Sequence, residues 1–218
     1  KNKTNNLKNI PVQIVNHSDY GVWEKNGNFV LIFMALSHIP YMSLFHSHSI
    51  FSRRSTIYKN NMIQLISKIN NKNFSRKTTL RFYPDDKKES LKIINLNKFQ
   101  NIEVSNQKSL NFELKSSFLG IFTYDGTGFI ESMVLGRPSK LLLLEDLNAI
   151  RPSAKKFYEK LINANIVHTS IDNLVNHLLI VDKDIYKWWN DSEVTKARKS
   201  FCKLFASNEN DIVNEILN

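Results

Sequence analysis

Short apolar runs alternate with segments of helical periodicity along most of the chain. Apolar runs of about four to eight residues, bounded by turn residues, are typical of strands that are covered on both faces. This pattern, together with β-branched and aromatic content, predicts strands at residues 29–35, 78–83, 102–104, 119–124 and 139–144. A further short strand candidate, residues 12–15, lies in a polar, asparagine-rich N-terminal stretch.

Between these runs, apolar residues recur three and four positions apart, which predicts amphipathic helices. A long loop is predicted at residues 37–52. The helix after it has an apolar face formed by Tyr58, Met62, Leu65, Ile66 and Ile69. Shorter helices are predicted at residues 109–116 and 127–135, the second of them ended by Gly136 and Pro138. The last third is predicted to be helical, with apolar stripes within residues 154–162, 171–179 (with Ser170 as N-cap) and 194–205.

Alternation of strands and helices predicts an α/β fold: a Rossmann-like parallel sheet with helices on both faces and a helical C-terminal third. We expect one domain over residues 29–206. Residues 1–28 are predicted to be a linker or the edge of a missing N-terminal domain, and residues 207–218 a C-terminal tail. Because the chain begins with Lys rather than Met, we expect an upstream portion.

Composition narrows the functional classes. With 42% hydrophobic and 23% charged residues, the chain has the balance of a globular protein. No apolar run approaches the roughly 18 residues of a membrane span, and no signal peptide is visible. A single cysteine excludes an internal disulfide framework and a cysteine-based zinc site, and fits a reducing cytoplasm. The net charge of +10 favours anionic partners, but the scattered lysines and aromatics argue against a nucleic-acid surface.

One strand-to-helix turn carries the clearest chemical signal. Ligands of open parallel sheets bind beyond the carboxyl ends of the strands. There, Gly126 and Gly128 would let the backbone approach a ligand closely. Thr127 adds a hydroxyl donor, and the helix start offers amide groups to a phosphate. Glu131 could accept hydrogen bonds from ribose or sugar hydroxyls. Asp125, just before the turn, is a candidate substrate contact. The alternative is a tight turn capped by Asp125 or Thr127, with Glu131 a solvated carboxylate.

Other candidates are less specific. Arg81 lies in a predicted strand and needs a partner if it is buried, either an anionic ligand or Asp85. Asp85 follows that strand and suits polar ligand contacts, but it is equally a turn residue. His38, His46 and His48 share one loop; a contact to substrate or phosphate is favoured over metal ligation. No metal and no cofactor is therefore predicted. Hydrolase and kinase motifs are absent from the sequence.

Several blocks of the sequence resemble, in the same order, transferases encoded in bacterial O-antigen and surface-polysaccharide clusters. These blocks are Leu-Arg-Phe-Tyr-Pro at residues 80–84, Thr-Tyr-Asp-Gly-Thr-Gly-Phe-Ile-Glu-Ser-Met at 123–133, Leu-Gly-Arg-Pro at 135–138, the segment 151–158, Asn-Ile-Val-His at 165–168 and Trp-Trp-Asn at 188–190. The chain departs from this family at Asp85 and Asp86, where relatives often have a His-Asp pair, and at Gly126 and Gly128, where relatives tend to have small hydroxyl residues.

The resemblance implies the C-terminal half of a GT-B-like glycosyltransferase that uses a nucleotide-activated sugar donor for O-antigen or capsule synthesis. It implies that Gly126, Thr127 and Gly128 meet the pyrophosphate, that Glu131 meets ribose or donor hydroxyls, and that Arg81 contacts phosphate. The implied partners are a polysaccharide or lipid-linked acceptor and an N-terminal domain that brings the catalytic base. The implied location is the cytoplasm, with peripheral contact at the inner face of the membrane.

Two alternatives remain open from the sequence. One is a non-catalytic nucleotide- or sugar-binding module or stranded half-enzyme, to which a supplied N-terminal half would restore no turnover. The other, less favoured, is a basic nucleic-acid-binding domain, whose affinity would fall steeply with salt.

Overall fold

A computed structural model describes residues 21, 23, 24, 26–34, 48–84, 87–94, 98–107, 109–144 and 150–206. Within these residues six strands form one parallel sheet in the order β3-β2-β1-β4-β5-β6. This is the doubly wound Rossmann order, in which the direction of strand addition reverses between β1 and β4. The predicted fold class is confirmed. The strands are Phe29–Ile32 (β1), Thr78–Arg81 (β2), Ile102–Val104 (β3), Leu119–Phe122 (β4), Ser139–Leu142 (β5) and Val167–His168 (β6).

Helices cover both faces of the sheet. Right-handed crossovers place the helices of the β1–β3 half on one face and those of the β4–β6 half on the other. In the C-terminal third, α8 packs against α4 and α5, whereas α6 packs against α1. In the described part of the chain, no helix combines the length and hydrophobicity needed to cross a membrane. The helices are His48–Asn70 (α1), Lys87–Ile93 (α2), Leu110–Lys115 (α3), Thr127–Val134 (α4), Pro152–Asn163 (α5), Ile171–Lys183 (α6), Ile185–Trp189 (α7) and Ser192–Phe205 (α8).

The apolar runs form the centre of the sheet. Every residue of β1, β4 and β5 is buried. Phe29 of β1 lies opposite Thr78 of β2 on one side and Leu119 of β4 on the other. Burial on both faces explains why these strands have no polar alternation. The exception is β5, which includes the fully buried Lys140.

Local sequence explains where several helices begin and end. The Oγ atoms of Ser109 and Ser170 accept hydrogen bonds from backbone amides in the first turns of α3 and α6. At the end of α4, Gly136 has φ of 69°, a left-handed conformation that favours glycine. The predicted cap of α6 and the predicted end of α4 are therefore confirmed.

The structure corrects several predicted boundaries. The loop predicted at residues 37–52 is wrong at its end, since α1 begins at His48. Strands predicted to reach residues 35, 83, 124 and 144 end two or three residues earlier. Side chains beyond two of these ends, Phe33 and Phe82, stay buried although the backbone has left the sheet, which explains the longer apolar runs. Residues 12–15, and most of the predicted linker and tail, lie outside the described residues.

Candidate functional site

An open cleft of about 400 Å³ lies at the carboxyl ends of β1, β2 and β4. It spans the point where the strand order reverses, which is where open α/β sheets bind their ligands. We call it the switch cleft. Its walls are mainly aromatic and apolar, with one cationic side chain. The lining residues are Ile32, Phe33, Arg81, Phe82, Tyr83, Pro84, Leu110 and Tyr124.

Arg81, the cationic residue of the switch cleft, forms a buried ion pair. It is the last residue of β2, and its Nη1 donates to a carboxylate oxygen of Glu113 on α3 and, at 3.0 Å, to the carbonyl oxygen of Gln107. Glu113 is only 4% exposed. The partner that the sequence required for Arg81 is therefore Glu113, while Asp85, the candidate proposed from the sequence, lies outside the described residues.

A second buried arginine anchors the other side of α3. Arg137 is 1% exposed, and its Nη1 donates to the carbonyl oxygen of Asn111 at 3.0 Å and also to the Asn111 side chain. Two arginines from different parts of the chain thus fix this six-residue helix beside the cleft. Since the desolvated guanidinium groups need these acceptors, α3 has a defined position.

The two glycines of the strand-to-helix turn permit close packing. A Cβ atom at Gly126 would lie 2.6 Å from Cε2 of Tyr124, and one at Gly128 would lie 2.7 Å from Cδ2 of Leu110. Gly126 has φ of −146°, extended backbone that any residue can adopt. The need for glycine at these positions therefore comes from contact with two residues that line the switch cleft.

The turn leads directly into α4. Thr127 is its first residue and is exposed, and Gly126 at the N-cap position has no side chain to cap the helix. The first amide groups and the positive end of the helix dipole are therefore available for an anion. Glu131, one turn later, is half-buried, and burial raises the pKa of its carboxyl group.

Asp125, immediately before this turn, is held by a residue of α5. Its Oδ2 accepts a hydrogen bond from the hydroxyl of Tyr158. Partial burial raises the pKa of Asp125, and this hydrogen bond opposes the rise. Burial and the neighbouring carboxylate raise the pKa of Tyr158 in turn. Asp125 thus ties the turn to α5.

Sequence inspection missed a hydroxyl pair at the reversal point. The hydroxyl of Tyr58, on α1, is hydrogen-bonded to Thr123 Oγ1 and accepts from the amide of Met34 at 2.9 Å. Thr123 donates to the carbonyl oxygen of Ile32 at 2.8 Å. Burial raises the pKa of Tyr58 to about 12, so this hydroxyl is neutral. The sequence predicts Tyr58 on the apolar face of a helix. Only its hydroxyl group indicated that it could make a polar contact.

The structure brings together only part of the predicted site. Arg81 lies in the switch cleft, and Gly126, Thr127, Gly128 and Glu131 lie on the turn and helix that follow Tyr124, a residue of the cleft wall. His46 and Asp85 lie outside the described residues, and His48 is the first residue of α1. Among the residues with described positions, no group of three or more His, Cys, Asp or Glu side chains could hold a metal ion. The roles assigned to these residues stay predictions.

Similarity to the crystal structure of TarM supports the fold. The chain is similar to TarM, with a TM-score of 0.55 and 15% sequence identity over 95% of this chain and 37% of TarM. A UDP-GlcNAc 2-epimerase from Neisseria meningitidis, solved with bound UDP-GlcNAc, gives a TM-score of 0.41 and 14% identity over 86% of this chain and 46% of that protein. The chain thus spans less than half of either protein. A search of curated proteins gives no significant match.

The family assignment comes from the sequence as a whole. A family described as LIC12162 family transferase matches residues 1–218, the full length of the chain. The resemblance to a transferase family is thereby confirmed. With this match and a Rossmann-like sheet, the chain belongs to the LIC12162 family of transferases.

Proposed function

We propose that this protein is a glycosyltransferase that binds a nucleotide-activated sugar in the switch cleft, for synthesis of a surface polysaccharide such as O-antigen or capsule. The observation that carries the proposal is the position of the cleft. It lies where the order of a six-stranded Rossmann sheet reverses, in a chain of a transferase family. Binding there would orient the donor, which is a large part of catalysis in group transfer.

The start of α4 is the main phosphate site of this proposal. The amide groups of Thr127 and Gly128, with the helix dipole behind them, would stabilise the negative charge of the diphosphate. Glu113 already neutralises Arg81, so this pair adds little net positive charge and Arg81 contributes a positioned donor instead. The rings of Tyr83 and Tyr124 offer aromatic surface for the base of the nucleotide.

The transfer itself involves one bond exchange. The oxygen of an acceptor hydroxyl would attack the anomeric carbon of the sugar, while the bond from that carbon to the diphosphate breaks. The electron pair leaves on the nucleoside diphosphate, and the hydroxyl proton passes to a base. We assign that base and the acceptor, a polysaccharide or a lipid-linked sugar, to a further domain at the cytoplasmic face of the membrane. The scheme uses no metal and no cofactor, because the α4 start stabilises the leaving group.

A thermal-shift screen against UDP, GDP, CDP, ADP and CMP tests the binding half of this proposal. A ligand at about 100 times its dissociation constant adds about 2.7 kcal/mol to the free energy of unfolding. For a domain of this size the midpoint should rise by roughly 5–10 °C. We expect a selective rise with one nucleotide, and a flat response from folded protein to all five would contradict the proposal.

The variant Thr127→Glu tests whether the phosphate groups of the nucleotide bind at the start of α4. A carboxylate in the first turn favours the helix itself but repels a bound phosphate, so we expect equal or slightly higher stability and roughly tenfold weaker nucleotide binding. Ser192→Glu is the matched control, since it adds the same charge to the first residue of α8. Equal nucleotide affinity in both variants would exclude the α4 start as the phosphate site.

A further inference from the structure

A second cleft, of about 290 Å³, lies between the outer edge strand β6 and α6. We call it the edge groove. None of the described residues that line it carries a formal charge, although the chain as a whole has a net charge of +10. Two isoleucines, Ile162 and Ile180, provide apolar wall. The polar lining is formed by Asn165, Thr169, Asn173, Asn176, His168 and His177.

Behind the edge groove lies the fully buried lysine of β5. The Nζ atom of Lys140 is 2.6 Å from the carbonyl oxygen of Asn165, 2.8 Å from Nδ1 of His177 and 3.3 Å from Nε2 of His168. It also lies 3.8 Å from the ring centroid of Trp188. Three elements of the fold therefore converge on one amine nitrogen, and burial lowers its pKa well below the usual value.

The contact with Lys140 bears on the protonation of His177. Nζ of Lys140 and Nδ1 of His177 form a hydrogen bond, and with Lys140 as the donor the hydrogen of the neutral imidazole is on Nε2. Burial, together with Lys140, lowers the pKa of His177 to about 3 and keeps the ring neutral. His177 is half-buried and lines the edge groove. The groove lining therefore includes an uncharged imidazole ring.

Asn165 has a left-handed backbone conformation. Its φ of 55° lies in the left-handed region, which asparagine tolerates better than most residues. In this conformation its carbonyl oxygen accepts from Lys140, while its exposed side chain lines the groove. One residue thus joins the buried amine to the groove surface, and its backbone and side chain can be tested separately.

We propose that the edge groove is a second binding site, which takes an uncharged, hydroxyl-rich ligand such as a short glycan segment. Each side-chain amide offers both a donor and an acceptor, as each sugar hydroxyl does. The isoleucine wall suits the C–H face of a sugar ring. No cationic side chain lines the edge groove itself among the described residues. The adjoining cavity, which shares Asn165, His177 and Ile180, has both lysine and carboxylate side chains and so has no excess of positive charge. The groove is three strand positions from β1, or roughly 14 Å, so it is separate from the switch cleft.

Saturation-transfer NMR with maltotriose and chitotriose as neutral probes tests this site. Tryptophan fluorescence titration would give the affinity, with Trp188 as the reporter beside His177. We expect saturable binding of at least one neutral trisaccharide. Absence of binding by both trisaccharides, or stronger groove-dependent binding of an anionic heparin fragment, would overturn the proposal.

Two groove variants with a matched control assign the binding to this surface. Asn165→Gly removes only the side-chain amide, because glycine adopts the left-handed conformation freely and keeps the carbonyl. The double variant Asn173→Ala/Asn176→Ala removes the two amides of α6. We expect each to weaken trisaccharide binding roughly tenfold. Asn190→Ala, an exposed asparagine at the end of α7, should bind normally. Normal trisaccharide binding by both groove variants would contradict the proposal.

Lys140 is a positioning residue in this proposal, and Lys140→Met tests it. Methionine fills a similar volume but cannot donate to Nδ1 of His177. We expect the ¹⁵N shifts of His177 to show a changed tautomer population together with weaker trisaccharide binding. Nucleotide affinity at the switch cleft should stay unchanged, so that this test is independent of the proposed transferase function. An unchanged tautomer and unchanged binding would contradict the positioning role.

Discussion

At the scale of single residues, the ion pair between Arg81 and Glu113 shows how burial changes the effect of a charge. Both side chains are largely removed from solvent, with 11% and 5% of their surface exposed. Removing one partner of such a pair leaves the other charge desolvated. We expect Arg81→Met to lower the free energy of unfolding by about 3–5 kcal/mol. Urea denaturation would measure the change.

The double variant Arg81→Met/Glu113→Met separates desolvation from lost attraction. It should recover most of that loss, since neither charge is then left unpaired. The exposed pair Lys196–Glu193 is the control, with 72% and 74% of the side chains exposed. Lys196→Met should cost less than about 1 kcal/mol. If the double variant is as unstable as Arg81→Met alone, the pair does not account for the loss.

Sequence reasoning predicted that Arg81 needs a partner but could not name it. Glu113 is 32 residues away and on a different element, so neither spacing nor periodicity connects them. The partners of Lys140, a residue within a predicted apolar strand, could not be named from the sequence either. Its partners Asn165, His168 and His177 come from a turn, a strand and a helix much later in the chain. Contacts of this kind become visible only when the topology is known.

At the scale of elements, α3 depends on contacts to three neighbours. Glu113 reaches β2, Asn111 reaches Arg137, and Leu110 packs over Gly128 of α4. Gly128→Val would place a Cβ atom 2.7 Å from Cδ2 of Leu110 and 3.3 Å from Phe122, so the Leu110 side chain or one of the two helices must shift. We expect a loss of about 1–3 kcal/mol from this overpacking, measured by urea denaturation.

Leu110→Ala tests the origin of that loss. In the double variant with Gly128→Val the smaller side chain leaves room for the new Cβ, so the added valine should cost much less than in the natural sequence. Equal costs in the two backgrounds would show that the strain arises elsewhere. Because Gly128 packs inward, changes at exposed Thr127 report on ligand binding more cleanly.

The elements that sequence patterns identified are the long or strongly apolar ones. Five of the six strands in the described residues, and the helices with clear apolar stripes, were predicted, although their ends were not exact. The missed elements are β6 with two residues, α7 with five and α2 with seven. A two-residue strand is too short to show a period. For α7, the cap at Asp184 was the available signal.

At the scale of the whole molecule, the buried histidines make stability depend on pH. Burial, with Lys140, lowers the pKa of His168 to about 2 and that of His177 to about 3. In the unfolded chain both rings bind protons near pH 6.5. As the pH falls below about 6, the two rings of the unfolded state bind up to two more protons, so they lower stability by up to about 2.7 kcal/mol per pH unit. The lowered pKa of Lys140 acts in the same direction.

Urea denaturation between pH 6 and 5 measures this slope. His177→Asn removes one of the protons that the unfolded state takes up, so the slope should decrease by about 1.4 kcal/mol per pH unit. The raised pKa values of Asp125 and Glu131 act oppositely, because the folded state then binds the extra protons, so more acid conditions are less informative. A natural protein as stable at pH 5 as at pH 6 would show that the imidazoles are not held neutral.

The strand order also constrains how the chain is made. Strands β1, β2 and β3 are neighbours in sequence and in space, so half of the sheet can form while the ribosome is still adding later residues. The switch cleft, by contrast, needs β4 beside β1, and β4 follows β1 by about 90 positions. A nascent chain therefore carries an open β1 edge and an incomplete switch cleft until residues 119–128 have emerged. That interval is when the protein is most exposed to mispairing with another chain.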